Sequence, residues 1–372
     1  MKLKEDKRIV MTLDAGGTNF VFSAIRGGEE IVEPITLPAG AEVLEDILNR
    51  IIQGFEEVKG KLEEDPVAIS FAFPGPAEYE LGIIGDLENL PHFRGGVALG
   101  PMLEEKFSIP VYINNDGDLF TYGEAISGLL PAINKKLDEA GNPKRYNNLL
   151  GGTFGTGFGG GIVTRGELFT GDNSAQGEIN RMRSKVHPFY SVEETVSIRG
   201  IRKAYARETK IEEVMVPTPQ SIFEIGMGKV DGDREAARKV FRKFALAAGD
   251  VLANAITLVD GLIVLGGGLS GAHPLFLQQM VNEMNHKFET PGGGKLSRLE
   301  LRVYNLENEK DLRKFLTGNK QEITVPFSEK KITYDPLKRI GVGISHLGTS
   351  RATSIGAYAF ALNQLDKSVE DG

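Results

Sequence analysis

Apolar positions along this chain follow two different periods, and the changes between them mark out the elements. From Ile9 to Leu37 they alternate closely enough to predict a three-strand meander. Val43, Leu44, Ile47, Leu48, Ile51, Ile52, Phe55 and Val58 then recur at helical spacing, which predicts an amphipathic helix over 41–62. Val67 to Phe73 reads as a buried strand, Val111 to Asn114 as another and Leu119 to Leu129 as a helix. Residues 131–148, with Lys135, Lys136, Asp138, Glu139, Gly141, Asn142 and Pro143, read as an exposed insertion. Strand-like runs return at Leu149–Phe154 and Ile162–Val163, helical spacing at Val240–Ile256, and a central strand at Leu262–Leu265. A helix follows from Pro274 to about Phe288, its proline suited to a first turn. Residues 294–340 show no clear period and read as loop-rich with short strands; a last helix covers Ala352–Leu362. The class is α/β.

Two glycine-rich turns interrupt this pattern in the same way. Asp14-Ala15-Gly16-Gly17-Thr18-Asn19 lies between the apolar runs 9–13 and 20–25, and Gly155-Thr156-Gly157 lies between 149–154 and 162–163. Each reads as strand, tight turn and returning strand. Glycine there lets backbone N–H groups approach an anion closely, and the threonine hydroxyl adds a donor. Neither turn is followed by Gly-Lys-Ser/Thr or opens a helix, so neither is a Walker or dinucleotide loop. A duplicated hairpin that can grip a polyphosphate remains.

Composition narrows the setting. With 372 residues the chain has room for two domains, and 41% hydrophobic with 25% charged residues is ordinary for a globular protein. A net charge of -8 argues against nucleic acid or an anionic membrane as a partner. No apolar run would span a bilayer, the N-terminus has no secretory pattern, and zero cysteines exclude disulfides and thiolate metal sites. The expectation is a cytoplasmic protein.

Asp116 follows an apolar strand, at the edge where open α/β sheets place ligands. It reads either as a general base, which a phosphoryl acceptor hydroxyl needs, or as a helix N-cap, for which Asp118 is the better candidate. Asp14, beside the first loop, reads as a Mg²⁺ holder, through water, or as an Asx turn that shapes the loop. Gly266-Gly267-Gly268 reads as a backbone surface for a flat base or as a tight strand-to-helix turn.

The order of these motifs is similar to that of the ROK family of repressors and kinases, within the sugar kinase, heat-shock protein 70 and actin superfamily. Phe73-Pro74-Gly75-Pro76, Asn89-Leu90-Pro91, Ile113-Asn114-Asn115-Asp116, the second loop, Gly177-Glu178-Ile179 and Val264-Leu265-Gly266-Gly267-Gly268 carry it, with Ile355-Gly356-Ala357 near the end. The resemblance implies two related actin-like (ribonuclease H-like) domains with a nucleotide cleft between them. These would span 1–130 and 131–372, with the closing helix near 352–364 free to return to the first. It also implies a homodimer, ATP and Mg²⁺ as cofactors, and ATP-dependent phosphorylation of a hexose, at its 6-hydroxyl. Asp116 would be the base. Asp14, Gly16, Gly17, Thr18, Asn19, Gly155, Thr156, Gly157 and Gly266–Gly268 would hold ATP. Gly75, Asn89, Asn115, Asp116, Glu178, Arg181 and Glu194 would line the sugar site, with Glu193 the alternative to Glu194.

Many members of that family follow the Gly-Glu motif with a histidine and three cysteines that bind zinc. Here the stretch is Glu178-Ile179-Asn180-Arg181, and 182–191 contains no cysteine. Tetrahedral zinc needs about four ligands, and His187 alone does not supply them, so activity is expected to be independent of zinc. Arg181 would point toward the sugar, pair with Glu178 or turn to solvent. The family's repressor branch needs a DNA-binding domain ahead of the first strand, where only eight residues precede Ile9. A non-catalytic sugar- or nucleotide-sensing protein is the alternative to a kinase.

Overall fold

Val10, Met11, Thr12 and Leu13 are all buried, so the first strand, Val10–Ala15, must be covered on both faces. It pairs antiparallel with Asn19–Arg26, in register from Val10 opposite Ile25 to Ala15 opposite Phe20, and parallel with Ala68–Ala72. Ala68–Ala72 pairs parallel with Val111–Asn114 in turn. One face of this sheet packs Met11, Leu13, Phe22 and Phe71 against Ile47, Ile51, Phe55 and Val58 of the helix Leu44–Gly60. The Phe22 and Phe55 rings meet edge to face, 5.1 Å apart. The other face is covered by the helices Asp116–Ser127 and Thr349–Glu370. Tyr358 anchors the second of these, donating from its hydroxyl to the Arg8 carbonyl and accepting from the Gly27 amide.

The computed structural model describes residues 3–16, 18–40, 42–75, 77–85 and 91–370. It divides into two units, one of residues 1–128, 161–177 and 347–372, the other of 129–160 and 178–346. The chain thus passes between the units more than once, and the helix Thr349–Glu370 falls in the first of them. Gly128 ends the helix Asp116–Ser127 and the next helix, Leu129–Glu139, opens the second unit.

The second unit repeats the strand plan of the first. Leu149–Phe154 lies in one sheet with Phe158–Thr164 and pairs parallel with Leu262–Gly266, which pairs with Arg339–Ile344, followed by Arg302–Asn305. Phe154, Phe244 and Phe276 form an aromatic knot beneath the strands, with ring centroids 5.0 to 5.9 Å apart. The long helix Arg234–Val259, capped by the Asp233 carboxylate on the Ala236 amide, supplies Phe244.

Two expectations need correction. Residues 131–148 are not an exposed insertion: Leu129–Glu139 buries Leu130, Ile133 and Leu137, and Tyr146 is buried with its hydroxyl on the Arg339 carbonyl. Proline at 131 sits in a first turn, where its missing N–H costs nothing. Residues 294–340 contain the strand Arg302–Asn305, the helix Glu309–Thr317, the hairpin Gln321–Thr324 with Lys331–Tyr334, and the start of the fully interior strand Arg339–Ile344. No helix among the described residues is long and apolar enough to cross a membrane.

The two helices behind the first sheet touch backbone to backbone. A Cβ on Gly123 would collide with the Ala352 carbonyl, and one on Gly356 with the Leu119 carbonyl. Gly356→Ala is therefore expected to cost roughly 1–3 kcal/mol by overpacking. A denaturation midpoint equal to that of the parent would show that the helices separate freely.

Candidate active site

The register of the first sheet determines which side chains meet at its edge. Asp14 stands opposite Ala72, and Ala72 opposite Asn114, so Asp14 and the segment Asn114–Asp116 leave neighbouring strands at the same level. Asn115 is the N-cap of the helix that follows: its Oδ1 accepts from the Gly117 amide at 2.8 Å. The Asp116 Oδ1 accepts from the same amide at 2.9 Å. Asp118 is not the cap. It is 2% exposed and accepts a hydrogen bond from the Gln176 side chain.

Asp116 is exposed at the first turn of its helix. Desolvation pushes its carboxyl above the ordinary carboxylate value. The Gly117 amide and its own amide oppose the shift, and the Asp14 charge adds to it. A carboxylate with a raised proton affinity at a sheet edge suits general-base work near neutral pH.

Tyr79, which belongs to no sequence motif, braces the neighbouring Asn115. Its hydroxyl donates to the Phe73 carbonyl at 3.0 Å and accepts from the Asn115 amide group at 3.5 Å. Gly75 is exposed beside it. Gly16, Thr18 and Asn19 are exposed along the first loop, and the Thr18 carbonyl accepts from the Ala39 amide at 2.9 Å. Gly17 and Asn89, both expected at the site, lie outside the described residues.

In the second unit Thr153 pairs across from Gly266, so the second glycine loop and the triple glycine leave the sheet together. The loop is already knotted: the Gly155 amide donates to the Gly157 carbonyl at 2.9 Å, and the Phe158 amide to the Glu193 carboxylate at 3.1 Å. Among the described residues the amides of Thr156 and Gly157 have no protein partner, which leaves two donors for an anion at the tip. Gly267 has φ +82° and any Cβ there would strike the Phe154 backbone, while nothing lies within 4 Å of a Cβ on Gly268. The first of these glycines is thus required by the turn and the second presents open backbone.

The remaining expected contacts fall on the short turns after residue 177. Glu178 and Arg181 are exposed and form no ion pair with each other among the described residues. Glu194 is drawn to Arg199 and Lys203, whereas its neighbour Glu193 faces the glycine loop. Residues 182–192 close on themselves through backbone bonds from Val192 to Met182 and from Ser184 to Tyr190. The buried hydroxyls of Ser184 and Thr195 lie 3.3 Å apart and join the loop to the turn beyond it. His187 packs edge-on against Tyr190.

Two sheets of the same plan, each ending in a glycine loop, define an actin-like fold, and the profile of the ROK family matches residues 10–300. The chain belongs to the ROK family. It is 28% identical over 280 residues to a glucokinase from Thermotoga maritima, covering 70% of this chain and 82% of the relative. It is 27% identical over 282 residues to an N-acetyl-D-glucosamine kinase from Vibrio cholerae, covering 72% and 86%. The crystal structure of a glucokinase from Parabacteroides distasonis superimposes with a TM-score of 0.90 at 54% identity, covering 98% of this chain and 99% of that one.

Proposed function

We propose that this protein is an ATP-dependent hexose kinase that transfers the γ-phosphoryl group to the 6-hydroxyl of a glucose-like sugar. The Asp116 carboxylate, exposed at the sheet edge level with Asp14, is the observation that carries this reading. It would accept the hydroxyl proton as the oxygen attacks phosphorus. The likeness to kinases of glucose and of N-acetylglucosamine supports both the reaction and the substrate class.

The residues divide the work. The free amides at Thr156 and Gly157, with the first loop, would hold the phosphates, and the open backbone at Gly268 would take the adenine. Asn115, fixed by its own capping bond and by Tyr79, would present its amide to the sugar and orient its neighbour Asp116. Gly75, Glu178, Arg181 and Asn89 would complete the sugar site. Glu193 is the better contact of the adjacent pair, because ion pairs hold Glu194 elsewhere. Asp14 offers a hard carboxylate oxygen beside a phosphate loop, which fits Mg²⁺: that ion binds through one or two carboxylates plus substrate phosphates. When bound, it would neutralise charge that develops on the phosphates.

The test is ATP consumption against glucose, N-acetylglucosamine, mannose and fructose. Sugar-dependent turnover with at least one is expected; sugar binding without turnover would establish the sensing alternative instead. Arg181→His should alter the ranking of sugars by kcat/KM several-fold while leaving the melting temperature unchanged, since the side chain is exposed. An identical ranking would remove Arg181 from the sugar site. A cytoplasmic homodimer without a nucleic-acid partner completes the reading, supported by the net charge of -8 and by Ile323, Phe327 and Ile332 exposed on one hairpin.

A further inference from the structure

Apart from the catalytic residues, the second unit contains a cavity of about 240 Å³ between the 3₁₀ turn Val192–Glu194 and the helices Ile198–Thr209 and Arg234–Val259. Its floor is apolar, with Ile201 and Val240 buried. Its walls carry Lys203, Arg207, Lys243, His187, Tyr190 and Thr195, with one carboxylate, Glu194. We propose that this cavity is a second anion site, which takes a phosphate group either free or carried by a small sugar.

The charge balance supports that assignment. Arg199 and Lys203 share Glu194, and Lys239 and Lys243 share Glu208. Arg207 has no ion pair among the described residues, and Lys203 reaches Glu194 only at 3.9 Å. The cavity lining thus sets Lys203, Arg207 and Lys243 against the single carboxylate of Glu194, which leaves positive charge in excess at one concave spot of a chain whose net charge is -8. An apolar floor lowers the local dielectric and strengthens the attraction for an anion. Guanidinium and ammonium groups with a hydroxyl and an imidazole beside them match the acceptor oxygens of a phosphate. The volume falls below the roughly 300–1,000 Å³ of drug-sized ligand sites, which limits the ligand to a small one.

Isothermal titration of the full chain with inorganic phosphate and, separately, with glucose 6-phosphate tests the site. Glucose and a non-hydrolysable ATP analogue, both saturating, keep the proposed catalytic residues occupied. Binding is expected to weaken about tenfold or more in Lys203→Gln/Arg207→Gln and to survive in the charge-preserving Lys203→Arg/Arg207→Lys. If the double variant fails to fold, Arg207→Gln alone serves, because its side chain is exposed. Tighter binding of the sugar phosphate would show that the sugar is held as well, and equal binding that the phosphate alone is recognised. No heat of binding, or equal affinity in the glutamine variants, would overturn the site. Since the readout is binding rather than turnover, it stands or falls separately from the kinase reading.

Discussion

Asp116→Asn is expected to lower turnover roughly 100-fold or more, the usual scale for loss of a general base, and to leave nucleotide affinity near that of the parent. Asparagine preserves the shape and the bond from the Gly117 amide, so the loss would report the missing proton acceptor rather than a disturbed helix start. Near-normal turnover would sink the assignment. The raised proton affinity adds two further readouts. In the parent enzyme kcat/KM should fall as pH drops through a value above the ordinary 3.8, because only the ionised carboxylate accepts a proton; the residual activity of the variant should lack that limb. A carboxyl that holds its proton more tightly in the folded chain adds stability below the unfolded value and loses it as pH rises through the folded one. At neutral pH the ionised group is thus a liability, and the asparagine variant should melt slightly higher than the parent.

Arg339→Met is expected to destabilise the second unit by about 3–5 kcal/mol, the cost of leaving a buried charge without its partner. Arg339 and Asp335 have side chains 0% and 1% exposed and bond at 2.6 Å. The guanidinium also donates to the Phe315 carbonyl at 2.7 Å and lies over that ring, 5.3 Å from its centroid. Desolvation pushes the Asp335 carboxyl up. Bonds from the Asn142 side chain, the amides of Asn319 and Leu337, and Arg339 outweigh it and hold the carboxyl below its ordinary value. This stabilisation is present above the unfolded carboxylate value and is lost as pH falls through the lowered one. The gap between parent and variant should therefore narrow in acid. Arg339→Met/Asp335→Asn should recover part of the loss, since removing both charges leaves none stranded. A melting temperature for the single variant within a degree of the parent would show that water reaches the pair.

The contrast between these two residues shows what the sequence could reveal. Asp116 was legible because a run of apolar residues stops just before it and the chain turns immediately after, a strictly local signal. Arg339 was not. Its strand reads Arg-Ile-Gly-Val-Gly-Ile, in which two glycines and a leading charge hide a central β-element. Only the distant strands Leu262–Gly266 and Arg302–Asn305 give it a place. The helix Leu129–Glu139 was missed because proline and the later glycine resemble loop punctuation, although its apolar face is regular. Glu193 and Glu194 differ by one position in a 3₁₀ turn, where successive side chains point about 120° apart. Spacing along the chain cannot tell which of them faces the glycine loop; the bond from the Phe158 amide shows that Glu193 does. Tyr79 carried no signal at all, since one hydroxyl that braces Asn115 from another part of the chain needs no motif.

The close crossing at Gly123 and Gly356 also bears on how the polypeptide is made. The helix that begins at Asp116 emerges from the ribosome well before Thr349–Glu370, the helix that packs against it. At 5–20 residues per second the delay is on the order of 10–40 s. Throughout that interval Asp14 and Asn114–Asp116 sit on a sheet with one face bare. The second unit, whose strands lie wholly between these two segments, can complete its own core first. The unit whose sheet is made first is then the one that finishes folding later, so Asp116 acquires its final setting only after Thr349–Glu370 has emerged.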